Sequence, residues 1–523
     1  MVTRRASAAV YIIAAAAFLR TPARAQGPES ARSWLRQAEQ LFEQQRWEQT
    51  GEAASKALAI DPRLADAELL LGLVAAARSN FDEAEKHFLK AVSLAPGNFR
   101  SHAYLGSTYL QQKRLADAAR SFQKVLELNP GNTAAHYNLG VIALAKRMPA
   151  EALVHFEAAH RADAADVPAA LGIVESQLLL RRTAEAKQTA RGLDRVLAAD
   201  DPRLLQLAAL LATHGDYAGA IPILEKIRRA PPASRDVKYN LALAYFRSAQ
   251  YNKAAETLQA LGNDSADADA YNLLGAVEEK RSRFTEAIRA HKKSAELQPV
   301  NETFRFDYAN AILQYDSIQT AVSAFEAGVH QFSKSWRMRL GLGSAYYVAG
   351  DYPRAAAVLL EAVALKPDSR LGYDLLGKAY ESAQSAQPAI EERFRAYLER
   401  APKDAWAYYH YGTMLYLHAD VSQAKATLKK ALALDPSLAP AHLQLGIIAQ
   451  AEGRTEESLR FFERAASLDP KMPAPHYRLG LAYQKLEQQD KARVEMERFR
   501  ALKASQPGED RTAVLQSLAQ QAR

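Results

Sequence analysis

Fourteen successive stretches of this 523-residue chain repeat one pattern. They begin at positions 31, 65, 99, 133, 167, 201, 235, 268, 302, 336, 370, 405, 439 and 473, so the period is 34 except for one step of 33 (235 to 268) and one of 35 (370 to 405). A period held that tightly restricts the fold to a solenoid, in which each unit buries its apolar face only by stacking on its neighbours. Within a unit, two apolar stretches at helical spacing flank a short polar turn such as SNFDEA (79–84) or EGRTEE (452–457). Position 8 is Gly in nine units, among them Gly72, Gly106, Gly140, Gly377 and Gly446. It is Ala at Ala38, Ala208, Ala242 and Ala309, and Val174 is the exception to this small-residue rule. Position 20 is Ala in twelve units. Gly within a helix costs about 1 kcal/mol against Ala, so its repetition predicts a close approach of the paired helices, backbone against backbone. Phe88, Phe122, Phe156 and Phe462 would then fill the space beside that contact. Prolines such as Pro62, Pro96, Pro130, Pro436 and Pro470 stop the second helix before the next unit.

The pattern L-G-x-x-Y, then A-x-x-x-F-x-x-A, then P, seen in LGSTY (105–109), ADAARSFQKV (116–125) and Pro130, resembles the tetratricopeptide repeat over residues 31–506. The resemblance implies an all-α, right-handed superhelical solenoid of about fourteen antiparallel helix pairs, with the first helices lining a concave groove. Unit 167–200, with Val174 at the small site and no terminal Pro, departs most from the pattern and reads as a distorted joint or a drifted copy. If position 5 of each first helix faces the groove, Tyr137, Tyr239, Phe306, Tyr409 and Tyr477 line it, with Asn138, Asn240, His410 and Arg478 next to them at position 6. Tyr suits a binding surface because it offers a large rigid area with one hydrogen-bonding tip. The alternative is that these rings pack against neighbouring first helices.

The ends of the chain read differently. Arg4 and Arg5 precede the apolar run AAVYIIAAAAFL (8–19), and Ala23-Arg24-Ala25 supplies a small-x-small pattern before Gln26. That layout predicts a signal peptide over 1–25, cleavage between Ala25 and Gln26, and export to the periplasm or cell envelope. Residues 26–30 read as a linker. A spanning helix needs about 20 apolar residues, so the run at 8–19 is too short and no stable membrane insertion is expected after cleavage. Removing 1–25, with its four arginines and no acid, lowers the formal charge from +8 to +4. Basic and acidic residues are interleaved, unlike a nucleic-acid-binding surface. At the other end, PGEDRTAVLQSLAQQAR (507–523) carries acids at a helix start and an apolar stripe of Val514, Leu515 and Leu518, which predicts a helix capping the last unit.

Cysteine is absent, which excludes disulfides, thiolate metal sites and a Cys nucleophile. The chain has no Gly-rich phosphate loop, GxSxG, HExxH or calcium loop. His102, His136, His442 and His476 all occupy position 4 and read as structural, and His155 and His160 are too far apart in helical phase to pair on a metal. The sequence therefore nominates no catalytic residue, cofactor or metal. It reads as a non-catalytic scaffold of the cell envelope that binds proteins or peptides. The alternative is a regulatory array serving an envelope enzyme or an export machine for polysaccharide or pili, such as a glycosyltransferase complex. The oligomeric state is not encoded in any of these features.

Overall fold

The computed structural model describes residues 30–230, 234–383 and 388–505. Residues 1–25, the linker up to residue 29 and the tail 507–523 lie outside the described residues. Among the described residues all regular structure is helical, and the chain divides into two compact units.

The first unit runs to Ser248. Its helices are α1 (Ala31–Glu43), α2 (Trp47–Ile60), α3 (Ala65–Ala77), α4 (Phe81–Leu94), α5 (Phe99–Gln111), α6 (Leu115–Leu128), α7 (Thr133–Ala145), α8 (Pro149–Ala162), α9 (Val167–Leu179), α10 (Thr183–Val196), α11 (Pro202–Thr213), α12 (Tyr217–Arg229) and α13 (Arg235–Arg247). The second unit begins at Ala249. It holds α14 (Tyr251–Ser265), α15 (Ala268–Lys280), α16 (Phe284–Leu297), α17 (Glu302–Tyr315), α18 (Ile318–Gln331), α19 (Trp336–Val348), α20 (Tyr352–Leu365), α21 (Arg370–Ala383), α22 (Pro388–Arg400), α23 (Ala405–Leu417), α24 (Val421–Leu434), α25 (Ala439–Ala451), α26 (Thr455–Leu468), α27 (Pro473–Lys485) and α28 (Gln489–Ser505). Within each unit the helices stack pair upon pair as a solenoid. No helix of the described residues is long and apolar enough to cross a membrane.

Local chemistry fixes the helix starts. Asn98, Asn132, Asp166, Asp267, Asn301, Ser335 and Asp404 precede first helices, and each accepts a hydrogen bond from a backbone N–H of the first turn. Position 20 lies at the centre of each pair, where Ala84, Ala118, Ala152, Ala186 and Ala355 are fully buried.

The glycines at position 8 do admit a close contact, but its partner is a side chain, which corrects the backbone-to-backbone expectation. A Cβ on Gly140 would stand 2.7 Å from the Phe156 ring, and one on Gly446 would stand 2.5 Å from the Phe462 ring. In these pairs the position-24 ring of the second helix packs on the bare backbone at position 8, a place that Leu359 takes opposite Gly343 and Leu428 opposite Gly412. Val174 reverses the arrangement. It is fully buried on α9, and position 24 of that unit is Ala190.

The turn inside each pair has a signature that the sequence hides. Position 15 has positive φ in twelve units among the described residues. Gly215, Gly350 and Gly453 adopt it freely, but so do Gln45, Ser79, Lys113, Arg147, Arg181, Ala249, Ser282, Ala419 and Glu487, with φ of 58° to 63°. Unit 302–335 differs, because α17 runs on to Tyr315 and Asp316 turns the chain with φ of −135°.

Candidate functional site

Between the first helices α21 and α23 of the second unit lies a cavity of about 330 Å³. Positions 2, 4, 5 and 9 of α21 supply Leu371, Tyr373, Asp374 and Lys378, and α23 supplies Trp406, Ala407 and His410. Arg370 and Asp404 stand at its mouth with an ion-pair distance of 3.6 Å.

His410 anchors the inner wall. It is 1% exposed, with Nδ1 2.6 Å from Glu381 Oε1 and Nε2 3.3 Å from Asp374 Oδ1. Burial alone would lower its pKa, but the Glu381 and Asp374 carboxylates outweigh burial and hold it at about 9. Both ring nitrogens therefore donate at neutral pH. Burial would likewise raise Asp374, yet His410 and Lys378 bring it down to about 2. Lys378 Nζ completes the chain at 2.9 Å from Asp374 Oδ2. Gly377 makes this possible, since a Cβ there would overlap the His410 ring.

Tyr409 supports the network without lining the cavity. Its hydroxyl donates to Glu381 Oε2 at 3.1 Å, and burial followed by the Glu381 charge pushes its pKa well above the usual value. Trp406 stands edge-on to Tyr409, with ring centroids 5.9 Å apart.

The other residues anticipated in the groove are dispersed. Phe306 is 1% exposed and packs edge-on against Phe325 at 5.7 Å, so its ring belongs to the core and offers nothing to a partner. Tyr137 is half-buried, 5.7 Å from the Phe156 ring. Asn138 is buried and donates to the Ala134 carbonyl of its own helix at 2.8 Å. Tyr239 is half-buried beneath the Arg235 guanidinium, and Asn240 is exposed. Tyr477 is 39% exposed and rests on Phe499 of α28 at 5.2 Å. Arg478 reaches Gln450 at 3.5 Å.

Three recurring contacts were not visible in the sequence. His102, His136 and His442 each donate from Nε2 to the carbonyl of the proline six residues earlier, at 3.1 Å. These position-4 histidines therefore tie a first helix to the end of the preceding unit. Tyr at position 11 donates to Glu at position 25 of the unit before, as in Tyr346 to Glu326 (2.5 Å) and Tyr483 to Glu463 (2.9 Å). Position 4 also meets position 23 within a pair, in Glu68–His87, His136–His155 and His476–Glu495.

Tetratricopeptide repeat family profiles match residues 52–99, 69–133, 105–167, 211–277, 308–370 and 439–472, which together cover more than half of the chain. The chain is a tetratricopeptide repeat protein. A segment of 181 residues, 34% of the chain, is 24% identical to human "Protein O-mannosyl-transferase TMTC1", and 153 residues, 28% of the chain, are 25% identical to the mouse protein of the same name. The matches span only 20% and 16% of those relatives. Solved structures similar to it include the C-terminal part of a TPR repeat-containing protein from Cytophaga hutchinsonii (20% identity, TM-score 0.38, 44% of this chain and 95% of that one). Yeast Tom70 is also similar (14% identity, TM-score 0.33, 88% of this chain and 95% of that one).

Tetratricopeptide repeats are protein-interaction modules, and the α21–α23 cavity lies between two first helices of this one. An apolar floor beside fixed charges of both signs can seat a side chain and meet the backbone that carries it.

Proposed function

We propose that the protein is a non-catalytic interaction scaffold of the cell envelope, exported with loss of residues 1–25, which binds a peptide or helix segment of a partner protein along its first helices. The observation that supports this most is the cavity between α21 and α23. Trp406 and Leu371 offer it an apolar surface, while Asp374, Lys378 and His410 form a charge network that is already satisfied. An imidazolium held at about 9 beside a carboxylate held at about 2 keeps its charge across neutral pH. Such a group suits a fixed ionic wall better than proton transfer, for which a pKa near the working pH is favoured.

The test is affinity capture from envelope extract with the wild-type chain and a Trp406→Ala variant in parallel. A specific partner retained by the first and lost by the second supports the reading, and equal retention refutes the site. Fractionation with N-terminal sequencing tests export, since the reading requires a product starting near Gln26 outside the cytoplasm.

A second reading is favoured by the similarity of 181 residues to a relative named as an O-mannosyl-transferase. On that reading the array serves a sugar-transfer or export assembly as its regulatory, partner-binding subunit. Recovery of a glycosyltransferase as the Trp406-dependent partner would select it.

A further inference from the structure

The unit with Val174 opens a much larger cavity, about 1010 Å³, bounded by α8, α9 and α10 in the first unit. It lies on a different side of the first helix from the anticipated groove. Val167, Ala170, Ile173 and Gln177 line it, which are positions 1, 4, 7 and 11 of α9, a face that shares only positions 1 and 4 with the α21 lining of the first cavity. Val174 and Ala190 lie outside its lining, and the small residue on its α10 wall is Gly192. With Val174 on α9 and Ala190 at position 24, α10 brings no ring to the pair, and Gly192 follows one half-turn later. A Cβ on Gly192 would meet no atom within 4 Å.

Three features define the occupant. The first is shape. Along α10 the lining residues run from Glu185 through Gln188, Gly192 and Val196 to Leu197, a stripe at helical spacing. At 1.5 Å per residue that stripe is about 18 Å long, the length of three turns of a second helix lying alongside. The second is polarity. Leu193, Leu197 and Ile173 form buried apolar walls, and Val196 is 76% exposed at the lip. The third is charge. Glu157, Asp166 and Glu185 are the lining residues with a full charge, and all are acidic. Two cations of α10 face away from it, since Lys187 pairs with Asp216 at 3.4 Å and lines a separate cavity with Arg191, and Arg195 is not among the residues that line it. Glu185 has a loose 3.8 Å contact with Arg182.

We propose that the α8–α9–α10 cavity is a second docking site, which takes an amphipathic helix of a partner whose apolar face is flanked by Lys or Arg. An apolar ridge inserts between α8 and α10, and the flanking cations meet Glu157 and Glu185. The site is independent of the α21–α23 cavity.

The test uses a fluorescein-labelled peptide of leucine and lysine in helical period, with a leucine–glutamate counterpart. Binding to the full chain is followed by fluorescence anisotropy. Gly192→Leu fills the cavity from a position with open space around it, so melting should be unchanged or raised. The expected result is saturable binding of the lysine peptide, weakened about tenfold or more by Gly192→Leu and by Glu157→Lys with Glu185→Lys. The glutamate peptide should bind at least about tenfold more weakly, and Trp406→Ala should leave binding unchanged. Equal affinity of the parent and Gly192→Leu overturns the proposal, as does equal affinity for the two peptides. Loss of binding in Trp406→Ala alone would place the peptide in the other cavity. A dimer of the parent that Gly192→Leu dissociates would make a second copy of this chain the occupant, and would equally overturn it.

Discussion

The carboxylate of Glu68 on α3 lies 2.7 Å from Nδ1 of His87 on α4, nineteen residues later. The same spacing recurs between α27 and α28 with acid and base exchanged, where His476 meets Glu495 at 2.6 Å. Positions 4 and 23 face each other across the pair, so either order of the two residues closes the same hydrogen bond. Glu68 is 1% exposed and also accepts from Lys90 at 2.5 Å. Removing His87 leaves this buried carboxylate with one of its two oxygens short of that partner, whereas removing Glu68 takes the buried charge away altogether. We expect His87→Ala to destabilise the α3–α4 pair by about 1–3 kcal/mol, and Glu68→Leu to cost less, because an apolar replacement leaves no buried ion unpaired. Amide exchange across α3 and α4 checks this, and the reverse order of the two costs would refute it.

The turn at position 15 gives a stabilising prediction. Lys113 and Arg181 adopt φ of 61° and 60°, a region that costs a side-chain-bearing residue about 1–2 kcal/mol. Lys113→Gly and Arg181→Gly should each raise stability by up to about 1 kcal/mol, with Arg181→Val lowering it. Thermal melts of the three variants measure the effect. Lower melting in both glycine variants would show that those side chains make contacts worth more than the strain.

Position 15 also marks where the sequence stops being informative. The period of 34 placed thirteen first helices to the residue, and α11 starts at Pro202 because Asp201 is spent as its cap. Those features are periodic in residue type. The positive φ is periodic in conformation, but only Gly215, Gly350 and Gly453 advertise it. The His410 network was hidden for another reason: Glu381 and Asp374 lie 29 and 36 residues away, and each looks like an ordinary surface acid on its own helix. Reading position 5 as groove-facing misplaced Phe306, because periodicity identifies a face without telling which neighbour covers it. In that unit Phe325 does.

Two histidine sites should respond to pH in opposite senses. His155 is lowered from 6.5, by burial and then by His136, so the folded state resists its protonation. The α7–α8 pair should therefore weaken as pH falls below about 6.5, where the unfolded chain takes up the proton first. His410 at about 9 is the reverse case. Its contribution is complete below 6.5 and is lost as pH rises towards 9, while that of Asp374 is lost as pH falls from 3.8 towards 2. Hydrogen exchange of α7–α8 and of α21–α23 at about pH 5.5, 7 and 9 reads both slopes. Parallel slopes would contradict the assignment.

Gly377 and Gly192 should answer the same substitution with opposite signs. Ala is the better helix former by about 1 kcal/mol, and at Gly192 it meets nothing within 4 Å, so Gly192→Ala should stabilise. At Gly377 the added methyl overlaps the His410 ring and must displace a buried imidazolium from its two carboxylates. Gly377→Ala should destabilise by about 1–3 kcal/mol and return the His410 titration towards 6.5. Two-dimensional NMR of the imidazole, beside melts of both variants, decides the matter. A stabilised Gly377→Ala variant with His410 still protonated at pH 8 would show that the ring moves aside at little cost.

The α27–α28 pair carries a ring where several earlier pairs carry a buried alanine. Position 27 of the second helix is a fully buried alanine in α4, α8, α24 and α26, as Ala91, Ala159, Ala431 and Ala465. In α28 the same position is Phe499, whose ring lies 5.2 Å from Tyr477 and beneath Lys503 Nζ at 5.7 Å. Tyr477 thus packs on the second helix of its own pair, which gives it a structural role beside the groove role expected of position 5. Phe499→Ala should uncover the Tyr477 ring, lower the melting temperature of the terminal pair and promote self-association through the exposed apolar patch. Tyr477→Ala should do the same, and the double variant should lose less than the sum of the two, since each single change already breaks the shared contact. Melting and light scattering of the four proteins form a complete cycle. Fully additive losses would mean that the rings act separately.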